Sequence, residues 1–230
     1  VANDIENVEG SNGADRLTGN AGDNKLYGGN GYDILRGEGG ADYLDGGADI
    51  DLVTYWGSAV AVTVDLGTGT TGGGAAGDVL ISIESVNGSM AGDTLTGNIY
   101  TNWLNGYEGD DVLRGGIGVD TLIGGAGADR FIFAGLGDSF VGAADQITDF
   151  SHAQGDKIDL SAIDANTGVA GDQAFTFIGS ALYSGVAGQL RFVFDGTVTT
   201  IAGDVNGDKI SDFHIQLTGA IALIASDFVL

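Results

Sequence analysis

The chain has 230 residues, 43 of them glycine, with no proline and no cysteine, and its 32 acidic side chains against 8 basic ones leave a formal charge of −24. That balance argues against nucleic acid, whose phosphates need Lys and Arg, and against anionic membrane surfaces; no apolar run approaches the ~20 residues of a membrane helix. Absent cysteine excludes disulfides and Cys-ligated zinc, while 43% hydrophobic residues are too many for an acidic tail, so the composition describes a chain that folds once its charge is neutralised.

The opening VANDIENVEG has no basic region and no apolar core. It does not read as a signal peptide, and it reads as a cut from a longer protein with a domain upstream. From Gly10 a nine-residue period begins: GSNGADRLT, GNAGDNKLY, GGNGYDILR, GEGGADYLD and GGADIDLVT. Each unit starts with Gly. The sixth positions are Asp15, Asn24, Asp33, Asp42 and Asp51; the eighth are Leu17, Leu26, Leu35, Leu44 and Val53. Self-similarity at a fixed period is the mark of a solenoid. A turn of six residues and a strand of three, with the eighth residue pointing inward, accounts for the pattern. Residues 1–54 are read as a first β-roll.

Residues 55–87 break the period. AVAVTVDL and DVLISIE read as strands and the glycine run at 72–77 as a turn, which makes a β-rich insertion that packs on the first roll or links it to the second. Tyr55 and Trp56 open two readings, a sugar platform or a cap on the first roll. The period returns at Gly88 with GSMAGDTLT, GNIYTNWLN, GYEGDDVLR, GGIGVDTLI and GGAGADRFI. Its sixth positions are Asp93, Asn102, Asp111, Asp120 and Asp129, and its eighth are Leu95, Leu104, Leu113, Leu122 and Phe131. The two blocks match each other at a constant offset: IENVEGS at Ile5 is answered by IESVNGS at Ile83, and the second-unit Asn24 by Asn102, so a five-unit block has been duplicated. Residues 88–141 are read as a second roll, with Asp138 extending its second acid column and Phe140 pointing inward.

Two units make one coil, so acids two units apart lie one strand spacing apart, about 4.8 Å. Bare carboxylates that close repel. A hard cation between them removes the repulsion, and calcium accepts about 6–8 oxygens from carboxylates and carbonyls. The expected columns are Asp15–Asp33–Asp51 and Asn24–Asp42, then Asp93–Asp111–Asp129 and Asn102–Asp120–Asp138. Turn carbonyls complete the shells, from Gly28, Gly31, Gly37, Gly40 and Gly46 in the first roll. Gly106, Gly109, Gly115, Gly118, Gly124 and Gly127 serve the second. Several Ca²⁺ ions are expected, and the Asn-containing sites are the weaker ones.

These units resemble the G-G-x-G-x-D-x-U-x nonapeptides of repeats-in-toxin (RTX) proteins, which form parallel β-rolls. Further on, ADQITDFSHAQGDKIDLSAID, GQLRFVFDG, AGDVNGDKISDFHIQLTG and the final SDFVL resemble, in order, the C-terminal region of the serralysins. The resemblance implies an all-β chain: two RTX rolls, a β-rich insertion, and a C-terminal β domain over 142–230. It also implies secretion from a Gram-negative bacterium, with the C-terminal residues Asp227 to Leu230 read by a type I exporter. DVNGDKISD places Asp204, Asn206, Asp208 and Asp212 at EF-hand-like intervals, but Lys209 stands where Gly is usual and no Glu closes the loop. The other reading of that stretch is a polar turn between two strands.

Serralysins are zinc proteases, yet this chain lacks H-E-x-x-H and has two histidines, His152 and His214, in unrelated contexts. It has no G-x-S-x-G elbow and no cysteine nucleophile. The expected function is a non-catalytic calcium-binding module that assists an upstream domain. The alternative is a carbohydrate-binding or adhesive module similar to those of alginate epimerases, for which Trp103 and Tyr107 are the aromatic candidates.

Overall fold

The computed structural model describes residues 6–230; residues 1–5, including Ile5 of the first predicted roll, lie outside the described residues. The first block forms β1 (Asn7–Glu9), β2 (Arg16–Thr18), β3 (Lys25–Asn30), β4 (Ile34–Arg36), β5 (Tyr43–Ala48) and β6 (Leu52–Thr54). β2 to β6 each begin at the seventh position of a unit, directly after the Asp or Asn of the sixth. The short strand exists because the eighth side chain is the only apolar group in reach of the interior. In β4 that residue, Leu35, is fully buried between two half-buried neighbours. Strands two units apart pair in parallel, so Leu17 meets Leu35 and Leu35 meets Val53 on one face. Val8, Leu26 and Leu44 stack the same way on the other.

The insertion is built into the roll. Its two expected strands form as β7 (Val62–Asp65) and β9 (Val79–Ile81). Part of the glycine-rich stretch, expected as turn, is a strand, β8 (Thr70–Gly73), antiparallel to β7. β9 adds a rung to the first block, Leu44 against Leu80. β10 (Ser85–Asn87) pairs directly with β6, Val53 against Val86, so the two blocks share one sheet. The second block supplies β11 (Thr94–Thr96), β12 (Trp103–Glu108), β13 (Val112–Arg114), β14 (Thr121–Ala126) and β15 (Arg130–Ile132). β7 provides the rung beside β11, Val64 against Leu95.

The C-terminal part continues with β16 (Asp145–Ile147), β17 (Lys157–Asp159), β18 (Thr176–Phe177), β19 (Gln189–Phe194), β20 (Val198–Asp204), β21 (Phe213–Thr218) and β22 (Phe228–Val229). The resulting long sheet has eleven strands in the order β2-β4-β6-β10-β12-β14-β16-β21-β20-β19-β18. The opposite face is divided into β1-β3-β5-β9 and β8-β7-β11-β13-β15-β17-β22. All rungs within the rolls are parallel; at the far end β19, β20 and β21 pair antiparallel, and β18 adds in parallel to β19 as the last strand of the long sheet. Leu26, Leu35, Leu44, Leu95, Leu104, Leu113, Leu122 and Phe131 are at most 1% exposed and join the C-terminal Phe213, Ile215 and Leu217 in one continuous core. Each such side chain stabilises the fold by about 1.5–3 kcal/mol.

Candidate metal centre: two columns of buried carboxylates

The sixth position of each unit lies at the edge where one face turns into the next, just before its strand. Stacking the coils therefore stacks the acids. The backbone N–H of Asp15 donates to Asp33 Oδ1 at 2.8 Å, and that of Asp33 to Asp51 Oδ1 at 2.8 Å. Asn24 N–H donates to Asp42 Oδ1 at 2.8 Å. The second block repeats this from Asp93 to Asp111 (2.6 Å), Asp111 to Asp129 (2.9 Å) and Asn102 to Asp120 (2.7 Å). One oxygen of each carboxylate is thus spent on the neighbouring coil.

The other oxygen is the telling one. Oδ2 of Asp33, Asp51, Asp111, Asp120, Asp129 and Asp145 is buried without a hydrogen-bond partner. A buried charged acceptor left unpaired costs more than the ~1–3 kcal/mol of a neutral one. The first glycine of each unit closes the same space. At Gly28 a β-carbon would collide with Asp33 Oδ2 and with the carbonyl oxygen of Gly46, so only glycine lets carboxylate and carbonyl approach together. Gly37, Gly46, Gly106, Gly115 and Gly124 occupy equivalent places. The fourth-position glycines expected as carbonyl donors, Gly31, Gly40, Gly109, Gly118 and Gly127, all hold a positive φ in the turn.

Burial drives the acids upward in pKa, against the N–H bond each accepts and with help from neighbouring carboxylates. Asp42, Asp51, Asp120 and Asp129 are raised to about 6, and Asp111 and Asp145 to about 8. The block-opening residues differ. Asp15 Oδ2 accepts from Ser11 N–H (2.5 Å) and its hydroxyl (2.9 Å), which holds its pKa below the usual range. Ser89 N–H closes Asp93 at 2.6 Å. Asn24 and Asn102 accept from the N–H of Asn20 and Asn98.

Four column members lie outside the two five-unit blocks. Asp42 N–H donates to Asp78 Oδ1 (2.9 Å) and Asp51 N–H to Glu84 Oε2 (3.0 Å). Asp120 N–H donates to Asp145 Oδ1 (2.9 Å) and Asp129 N–H to Asp156 Oδ1 (3.1 Å). Their spacings are 36, 33, 25 and 27 residues instead of 18. The available signal was an acid two residues before a buried or half-buried apolar side chain: Leu80, Val86, Ile147 and Ile158.

Two expectations are corrected, and at Tyr55 one of two open readings is excluded. Asp138 does not extend the Asn102–Asp120 column; Asp145 does. The chain between Asp120 and Asp145 is longer than a regular coil, and Asp138, in that excess, pairs with Arg114 at 3.2 Å and accepts from Ala134 N–H. Phe140 accordingly points outward and is 48% exposed. The 204–212 loop closes on itself: Asp204 accepts from the N–H groups of Asn206, Gly207 and Lys209, Asn206 from Asp208, and Asp208 from Ile210. That is the polar turn between β20 and β21, with no orphaned buried oxygen to call for an ion. Tyr55 is buried and donates its phenol to Asp78 at 2.9 Å, so it forms no sugar platform with the exposed Trp56.

The columns offer only oxygen donors with excess negative charge, which suits a hard cation such as calcium. Among the described residues no three His, Cys, Asp or Glu side chains converge. Any ion would therefore be held by carboxylates shared between coils together with turn carbonyls. His152 and His214 are far from such a role: His152 Nδ1 lies 2.8 Å from Asp227 Oδ1, and His214 sits in β21.

No match is found among curated protein sequences. Among solved structures, the chain is similar to the R3 subunit of the AlgE6 mannuronan C5-epimerase of Azotobacter vinelandii, at 24% identity and a TM-score of 0.37, covering 96% of this chain and 80% of that one. The R2 subunit gives 28% identity and a TM-score of 0.39 over 77% and 90%. Extracellular lipase LipA of Serratia marcescens gives 18% and 0.32 over 96% and 39%. The family described as Peptidase M10 serralysin C terminal matches residues 2–230. With that match spanning all the described coils and the C-terminal closure, the chain belongs to the serralysin C-terminal family, whose repeats are of the RTX type.

Proposed function

We propose that the chain is a calcium-binding RTX module of a secreted Gram-negative protein, folding after type I export and stabilising a domain upstream of it. The observation that carries this is the row of six buried, unpartnered carboxylate oxygens, three of which, on Asp33, Asp51 and Asp111, share their glycine with a backbone carbonyl. Bound calcium would supply positive charge and accept oxygen ligands where the backbone can spare no further N–H. Residues 1–54 and 88–141 are the ion-binding rolls, 55–87 joins them, and 142–230 carries the export signal near Asp227 to Leu230. Ordering the first two glycine-rich turns costs about 1–2 kcal/mol per residue. Later turns dock on a formed edge, so binding is cooperative, as stability is in other solenoids. Calorimetric titration of metal-free protein is expected to show several calcium ions taken up at about 10⁻⁴–10⁻³ M, the range of extracellular modules, with no matching response to magnesium. Absence of calcium uptake at 10 mM, a ceiling of about ten times that range, sinks the reading.

A second reading, as a glycan-binding module, is favoured by one cleft. It measures about 500 Å³ on the outside of the long sheet, walled by Tyr32, Ile50, Trp103 and Tyr107, with Asn87 and Asn105 offering amides. Aromatic faces beside amides suit a pyranose ring, and the charge of −24 selects a neutral one. Neutral oligosaccharides are expected to shift tryptophan fluorescence in the parent chain and in Trp56→Phe but not in Trp103→Phe. An unchanged spectrum in all three at millimolar sugar removes this reading.

A further inference from the structure

We infer that the junction between the two blocks is itself a cation site, built by Asp51 of the first block with Ser82 and Glu84 from the stretch between the blocks. The inference rests on the calcium reading above and adds two residues, Ser82 and Glu84, that lie outside both five-unit blocks. Asp51 is fully buried, and its Oδ2 has no partner. In a regular coil, the first glycine faces its own unit's carboxylate and a glycine carbonyl from the next coil, as Gly28 faces Asp33 and Gly46. At the junction the partner coil is irregular, yet the arrangement is kept. Gly46 faces Asp51 Oδ2 and the carbonyl oxygen of Ser82, both too close to admit a β-carbon. Glu84 takes the place of the next aspartate and accepts Asp51 N–H through Oε2 at 3.0 Å, and among the described residues its Oε1 receives no donor. The junction thus presents two carboxylates and a carbonyl, the donor types of a regular step.

The opposite edge shows the alternative. There the first block ends at Asp42, and Asp78 follows it. Asp78 Oδ1 accepts Asp42 N–H, and its second oxygen accepts the Tyr55 phenol at 2.9 Å. A protein donor closes that edge, while none closes the Asp51 edge. The open edge is also where the long sheet passes between blocks. The Asp51 carbonyl accepts Ser85 N–H at 2.9 Å, and the Glu84 carbonyl accepts Trp103 N–H at 3.1 Å and Asn102 Nδ2 at 3.1 Å. An ion held here ties the last coil of one block to the first of the next.

The test compares the wild type, Glu84→Gln and Asp111→Asn by native mass spectrometry and calcium calorimetry. Gln keeps an oxygen for Asp51 N–H but removes the charge. Glu84→Gln is expected to bind one calcium ion fewer and to melt in two steps where the wild type melts in one. Wild-type stoichiometry in Glu84→Gln, with ions lost in Asp111→Asn, overturns the junction site and leaves the calcium reading standing. No calcium bound by the wild type overturns both. Should Glu84→Gln fail to fold, wild-type crystals grown in calcium decide. An anomalous peak within coordination distance of Asp51 Oδ2 and Ser82 O supports the site, and peaks at Asp111–Asp129 with none at Asp51 reject it.

Discussion

Stripped of divalent ions at pH 8, the chain is expected to lose its β signal in far-ultraviolet circular dichroism and to regain it on adding calcium, but not magnesium. Six buried carboxylate oxygens have no partner, and each costs upward of ~1 kcal/mol when left so. The whole stability of a domain is only about 5–15 kcal/mol, so the unpaired charges alone are of the same order. The apolar core does not escape this, because the inward eighth residue of each roll unit sits two residues from a column position. Loosening the acids loosens the coil that holds the Leu. Metal binding energy is then folding energy. A β spectrum that ignores chelator at pH 8 would show that the rolls stand on packing alone.

Acid is expected to do part of calcium's work. Asp42, Asp51, Asp120 and Asp129 are raised to about 6, and Asp111 and Asp145 to about 8, from an ordinary value of 3.8. Between those limits the folded chain binds more protons than the unfolded one, so stability falls as pH rises. The contribution is fully present below about pH 4 and is lost as pH climbs through 6 and 8. Asp15, Asp159 and Asp195, whose pKa values are lowered, act oppositely and lose their contribution below the ordinary value. Metal-free protein is therefore expected to gain β signal on titration from pH 8 to pH 5. Calcium binding at pH 7 should release protons, read as a buffer-dependent heat in calorimetry. A β signal that declines steadily with acid, or a heat independent of buffer ionisation, contradicts this assignment.

The sequence made the roll legible wherever the period held. Leu at every ninth place set the strands, their inward face and the stacking of alternate units, and the sixth-position acids fell into columns. What stayed hidden were the column ends. Asp78, Glu84, Asp145 and Asp156 follow coils longer than 18 residues, so stacking every second unit misses them, and it misplaced Asp138. Spacing fixes a residue only while each coil consumes the same length of chain. Beyond that the packing decides: an acid joins the column if a buried apolar residue two places later can enter the core. The 204–212 loop differs for another reason. Its residue types suit a cation, but its Asp204, Asn206 and Asp208 oxygens accept backbone N–H groups of the loop itself.

The duplicated block contains five units, an odd number, on a roll whose faces alternate unit by unit. Laid on the second block, the first maps β1 onto β10 and β2 onto β11, yet β2 lies in the long sheet and β11 on the opposite face. Residues identical by descent have therefore changed sides. A change in length leaves the faces in place only when nonapeptides are added or removed in pairs. Deleting a single nonapeptide sends every downstream outward side chain to the other surface while leaving the core leucines in register. A lineage of such proteins can thus acquire a new exterior by one slip in copy number, without altering a single interior residue.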